Sequence, residues 1–220
     1  MAARQPLQTI SVAEAATTRL RESLFAGIYK AGEEIKDTQV AEEYGIARPT
    51  ARIAVQQLIN EGMLVRDPGY SARVRTFDPE QVRDIFRVRK MIELDAVREA
   101  KARGVALDRV KDAMNRFVDL GEAPSWSRVA EADAAFHQAV VEAGGSERLR
   151  VYFEGITNEI RLLLALPETH FGRGESPYEE HEELFLVLQG DATMKQLERA
   201  WSYHLDESRD FLVGLLSAKE

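Results

Sequence analysis

The sequence predicts a mainly α-helical chain, with a winged helix-turn-helix over residues 1–76 and an all-helical antiparallel bundle over residues 77–220. Three observations predict it. Residues 38–60 read as two short helices around a tight turn at Gly45-Ile46-Ala47. Two short apolar runs follow, separated by Asp67-Pro68-Gly69, which is a hairpin signal. Beyond Pro79 there is no strand-like alternation, and apolar residues recur at helical spacing.

Residues 1–9 read as a loose arm. Ser11 with Glu14 three residues on is a capping-box pair, opening a helix through Thr17, Leu20 and Leu24 that Gly27 ends. Ala31-Gly32 turns the chain into the first helix of the pair, residues 38–44. Gly45 supplies a residue free to take positive φ at the turn. On the second helix, residues 48–60, Ala51, Ala54, Val55 and Leu58 keep the spacing of a buried face. Arg48, Arg52 and Gln56 stand four apart on another face, so donor-rich side chains project together. Such a helix suits a DNA major groove, although a solvated basic face on an ordinary helical hairpin has the same pattern. Glu61-Gly62 stops it, Met63-Leu64-Val65 is a strand, and residues 72–75 return as its partner. That wing carries Arg66, Arg73 and Arg75, within reach of phosphates or a minor groove.

Asp78 as cap, Pro79 as first helical residue and Gln81 at the third position open the second part. Six helices follow, over about residues 79–103, 107–121, 125–143, 146–166, 177–188 and 192–216. Their breaks are Gly104, Glu122-Ala123-Pro124, Gly144-Gly145, the loop 167–176 and Gly190-Asp191. Helices joined this way make an antiparallel bundle.

Charge separates the two parts. The chain carries −8 overall, but residues 1–76 hold 10 Lys and Arg against 9 Asp and Glu, and residues 77–220 hold 19 against 28. A small module near neutrality on an acidic body fits one part that meets a polyanion and one that does not. With no cysteine, disulfides and thiolate metal sites are excluded. There is no apolar run long enough for a bilayer and no signal-peptide pattern, so the expectation is a cytoplasmic protein with no membrane partner.

Only four histidines occur, His137, His170, His181 and His204. Asp133 and His137 lie on or beside the apolar face of Val129, Phe136 and Val140. His181 shares a face with Leu184, Phe185 and Leu188, and His204 with Leu197, Trp201, Phe211 and Leu215. Three helices thus aim imidazoles inward. Each alone is satisfied as a hydrogen-bonded core histidine. Three with a carboxylate one turn away are satisfied together by a shared metal. An N3O set suits Zn2+, and also Ni2+, Mn2+ or Fe2+. His170, in a Gly/Pro-rich loop, is read as exposed.

GIYKAGEEI and VAEEYGIARPTARIAVQQLINEGMLVRDPG, within residues 27–74, resemble the GntR-type transcriptional regulators. Ala31 stands where that family usually has proline. Ala47 stands where a Ser or Thr usually caps the recognition helix, a loss of roughly 1 kcal/mol. The candidate DNA contacts are Arg48, Thr50, Arg52, Gly69 and Arg73. Similarly, VRKMIE, EADAAFHQAVVEAGG, EEHEELFLVLQGD and SYHL resemble the FCD ligand-sensing domain of the FadR branch, with six helices as in the VanR-like group. That resemblance implies Asp133, His137, His181 and His204 as metal ligands, and Arg89, Asn158 and Arg161 as polar groups facing a small molecule. His204 comes about two residues late after Asp191, so a helix-end adjustment is needed to bring it in.

The implied function is a metabolite-responsive regulator, not an enzyme. It binds palindromic double-stranded operator DNA as a homodimer and senses a small carboxylate metabolite with a divalent metal. Two other classes share these features: a metal-dependent hydrolase fused to a winged helix, for which Glu93 is the one well-placed base, and a regulator whose bundle only dimerises.

Overall fold

A computed structural model describes residues 10–120, 125–165 and 177–218 of the chain. The arm at residues 1–9 and the loop holding His170 lie outside the described residues. The chain divides into two compact units, Met1–Arg75 and Thr76–Glu220.

In the first unit α1 (Val12–Phe25), α2 (Asp37–Tyr44) and α3 (Arg48–Asn60) pack with a small sheet of β1 (Glu34–Ile35), β2 (Leu64–Val65) and β3 (Ala72–Val74). Ser11 accepts from the Glu14 amide, which is one half of the expected capping box. Gly45 ends α2 at φ 63°, a left-handed cap that L side chains reach only with strain. Ala47 stands at the N-cap of α3 with no side-chain hydrogen bond, and the proline at the helix start removes one donor that would need a partner. Leu20, Leu24, Val40, Ala51, Ala54, Val55, Leu58, Met63 and Val74 form the core.

The sheet has one strand more than the expected hairpin. Residues 34–35, read from sequence as part of a turn, pair antiparallel with β3, giving the order β1-β3-β2 with Glu34 opposite Arg73 and Leu64 opposite Val74. The reason is the exposed edge of β3. The Gly32 amide donates to the Val74 carbonyl and the Val74 amide to the Glu33 carbonyl, satisfying groups that a two-stranded wing would leave open.

The second unit holds α4 (Pro79–Arg103), α5 (Asp108–Val118), α6 (Trp126–Ala143), α7 (Glu147–Ala165), α8 (Pro177–Gln189) and α9 (Met194–Ser217). α4 packs on α6 and α9, α6 on α5 and α7, and α8 on α5 and α9. Asp78 and Gln81 close a full capping box on α4, and Thr193 and Gln196 do so on α9. That second box starts α9 at Met194, two residues beyond the expected Ala192. Phe117, Phe136, Val140, Leu184, Leu188, Leu197 and Trp201 build the main core. At Gly144 the end of α6 comes so close to α4 that a Cβ there would meet the Ala96 Cα at 2.7 Å. Among the described residues no helix is long and apolar enough to cross a membrane.

Candidate metal centre

Three helices of the second unit each deliver an imidazole to one place in its core. α6 carries Asp133 and His137 one turn apart, α8 carries His181, and α9 carries His204. All three imidazoles are buried, and Asp133 is 17% exposed at its side chain. One ligating atom from each of the four residues lies within 4.8 Å of the other three.

The hydrogen bonds on the far side of each ring decide what the near side offers. His137 Nδ1 is 2.7 Å from Glu93 Oε2, so it carries the proton and donates to the carboxylate. His181 Nδ1 is 2.7 Å from the Pro177 carbonyl, which can only accept. His204 Nδ1 faces Glu180 Oε2 at 3.7 Å. With Nδ1 engaged in His137 and His181, Nε2 is the atom each leaves to a metal, and the Nε2 of His204 faces the same place. His137 Nε2 lies 3.6 Å and His181 Nε2 3.2 Å from Asp133 Oδ1, and the Nε2 atoms of His204 and His137 are 3.3 Å apart. Phe117 stacks on His181 at 4.4 Å, and Phe136 meets the edges of His137 and His181, which fixes the ring planes.

Electrostatics favours the form that a metal requires at Asp133, His137 and His204. Burial pushes the Asp133 carboxyl up, but His137, Arg89 and His181 beside it pull harder and hold it well below the usual carboxylate range. Burial lowers His137, with Arg89 adding to the effect against Glu93. Burial lowers His204 further still, helped by His181 and His137. The result is an ionised carboxylate beside two imidazoles, those of His137 and His204, whose protonated forms are disfavoured.

The residues present fit a divalent ion. Asp133 Oδ2 and His181 Nε2 are buried and without a hydrogen-bond partner among the described residues, a cost that coordination would remove. Two of the separations, 3.2 and 3.3 Å, fall within the ~2.9–3.4 Å between ligands held about 2.0–2.1 Å from one ion, and all four atoms lie within 4.8 Å of one another, so a small inward shift completes the set. Four protein ligands leave positions open if the ion is five- or six-coordinate.

Of the residues expected to face a small molecule, Arg89 joins this cluster. It is 2% exposed, its Nε donates to Glu93 Oε1 at 2.7 Å, and an Nη2 lies 3.6 Å from Asp133 Oδ2. Asn158 and Arg161 stand half-buried, one turn apart on α7. In the first unit Arg48 and Arg52 are exposed on α3, Thr50 is half-buried, and Gly69 sits at the wing tip at φ 85°. The wing arginines divide. Arg66 pairs with Asp37 at 3.0 Å and Arg75 donates to the Gly62 carbonyl, so both also serve inside the unit. Arg73 is exposed and touches the Gly32 carbonyl.

Sequence reasoning passed over Glu93, Trp201 and Glu180 as partners of this cluster. The signal for Glu93 was present: a carboxylate on the α4 face that buries Phe86, Val97 and Ala100 has to be paired.

Comparison with known proteins adds the context. The profile of the FCD domain matches residues 84–207, and that of bacterial regulatory proteins of the gntR family matches residues 12–74. An HTH-type transcriptional regulator of Bacillus subtilis (strain 168), YdhC, is 24% identical over 172 residues, 76% of each chain. The fold is shared with a GntR transcriptional regulator from Rhodococcus sp. RHA1, at TM-score 0.83 and 19% identity, over 92% of this chain and 97% of that one. It is shared also with E. coli McbR/YncC, at TM-score 0.73 and 17% identity, over 93% and 98%.

Proposed function

The chain belongs to the FCD-domain group of GntR-family transcriptional regulators, and from that premise we propose that it binds a palindromic operator as a homodimer and senses a small organic acid with the help of a metal. The matched families are of transcriptional regulators, which sets aside the hydrolase alternative. The DNA part of the reading rests on α3, which buries Ala51, Ala54, Val55 and Leu58 while exposing Arg48 and Arg52. Thr50, Gly69 and Arg73 would supply further backbone contacts. One such module reads too few base pairs for specificity, and a two-fold pair reading two half-sites repairs that. The setting is the bacterial cytoplasm, where operator DNA lies.

The observation that carries the sensing half is the convergence of Asp133, His137, His181 and His204, with two of their buried atoms making no hydrogen bond among the described residues. These four would hold a divalent cation, Zn2+ or else Ni2+, Mn2+ or Fe2+. When bound, it supplies positive charge and open positions to an anionic metabolite. Asp133, Glu93 and Arg89 with a dication sum to +1, and Glu180 lies 3.7 Å from His204 Nδ1, on the side of that ring away from the ligand atoms. A carboxylate entering beside Arg89 meets that excess positive charge, with Asn158 and Arg161 as the proposed polar contacts at its other end. Differential binding of the acid to DNA-competent and incompetent forms then changes operator affinity.

The test is fluorescence anisotropy on an operator selected from random-sequence DNA, with a carboxylate panel, for protein with and without metal. A two-fold symmetric site whose affinity responds to an acid only when metal is present supports the reading. Operator affinity indifferent to every acid and to metal would leave the bundle as a dimerisation module.

A further inference from the structure

One fully buried carboxylate lies outside the ligand set and collects three donors. Glu93, midway along α4, is 0% exposed. Its Oε1 accepts from Arg89 Nε at 2.7 Å. Its Oε2 accepts from His137 Nδ1 at 2.7 Å and from the Trp201 indole N–H at 2.9 Å. Side chains from α4, α6 and α9 therefore end on one residue.

We propose that Glu93 is a positioning residue for the Asp133/His137/His181/His204 centre, fixing the tautomer of His137 and tying that ring to Trp201 on the helix that carries His204. The proposal rests on the metal reading above. A neutral imidazole can hold its proton on either nitrogen. In the Nε2–H form a hydrogen would stand where His137 offers its lone pair, toward Asp133 and His204. A carboxylate at Nδ1 selects the other form, and among the described residues no backbone carbonyl does this for His137 as Pro177 does for His181.

The two oxygens divide the work. Arg89 on Oε1 brings the positive charge that makes a buried anion tolerable. Oε2, which that ion pair leaves over, receives both His137 and Trp201, so the carboxylate is held from three directions and cannot swing away from the ring. A purely structural Arg89–Glu93 pair would call for only the first of these oxygens. Trp201 lies one turn before His204, so the indole bond also holds the stretch of α9 that presents the third imidazole.

The test uses the full chain with Glu93→Gln, which keeps the shape but replaces an acceptor with an amide that must turn its NH2 toward one of the donors. Imidazole 15N NMR of metal-free protein reads the His137 tautomer, and the indole N–H resonance reads the Trp201 bond. Competition with a chromophoric chelator reads Zn2+ affinity. The proposal expects Nδ1–H in the wild type, a shift to Nε2–H in Glu93→Gln, an upfield move of one indole N–H, and about 10–100-fold weaker Zn2+ binding. Glu93→Asp, which keeps the charge, should recover part of the affinity. An unchanged tautomer and affinity in Glu93→Gln overturns the proposal. If Glu93→Gln does not fold, the wild type alone decides, because an Nε2–H form of His137 there overturns it equally. A wild type that binds none of Zn2+, Ni2+, Mn2+ or Fe2+ overturns the metal reading itself. That result is distinct from a wild type that binds beside a Glu93→Gln that binds equally well.

Discussion

His181 Nε2 stands 3.2 Å from Asp133 Oδ1 while its Nδ1 donates to the Pro177 carbonyl, so Nε2 faces a carboxylate oxygen. In a neutral ring the two would repel, and either a metal ion between them or a proton on Nε2 removes that repulsion.

His137→Ala and His181→Ala are expected to abolish tight metal binding and to lower thermal stability in the presence of metal. An ion at 1,000 times its Kd contributes about 4 kcal/mol to the folded state, and each variant forfeits it. Chelator should lower the wild-type Tm by a similar amount and add nothing to the variants. His204→Ala should behave likewise, since its Nε2 lies 3.3 Å from that of His137. Calorimetric scans with and without chelator check all three.

Arg48→Ala and Arg52→Ala are each expected to cost about 1–3 kcal/mol of operator affinity and to relax preference at one base position. Arg73→Ala should weaken every sequence alike and reduce the slope of log K on log salt by about one. Binding isotherms over a salt series separate the two behaviours. Operator affinity unchanged in Arg48→Ala would mean that α3 is not the reading helix.

The effector is expected to be an anion. A thermal-shift screen of mono-, di- and tricarboxylates, sugars and amines should find stabilisation confined to carboxylates, and lost when metal is stripped. Arg89→Ala is a poor probe, because stranding buried Glu93 costs roughly 3–5 kcal/mol by itself. Arg89→Lys keeps the charge and loses the planar fork, so it should fold and bind the acid about tenfold more weakly. A sugar or amine that stabilises both proteins equally contradicts this.

Gly144→Ala is expected to destabilise the second unit by about 1–3 kcal/mol, because the new methyl meets the Ala96 backbone rather than a movable side chain. Gly144 has φ −61°, so the loss is one of space and not of backbone strain. Urea unfolding of the full chain measures it.

The fold was legible wherever local chemistry decides it. Asp78, Pro79 and Gln81 announce the start of α4, and the stripe Ala51, Ala54, Val55 and Leu58 marks the buried side of α3. β1 was not legible, because residues 34–35 become a strand only by pairing with an edge some 40 positions away. In the site, helical phase alone pointed Asp133, His137, His181 and His204 inward. Their meeting depends on how three helices pack, and on Thr193 starting α9 two residues later than the pattern suggested. The donors on Glu93 come from residues 4, 44 and 108 positions away, a set of separations that no periodicity exposes.

Asp133 and the three histidines are proposed to form one metal site. The most direct test is the metal content of folded protein by inductively coupled plasma mass spectrometry, after stripping, reloading and desalting, for wild type beside Asp133→Ala and His181→Ala. About one divalent ion per chain is expected in the wild type and almost none in either variant. Equal metal content in all three proteins, or none in the wild type after reloading with Zn2+, Ni2+, Mn2+ and Fe2+ in turn, would contradict it.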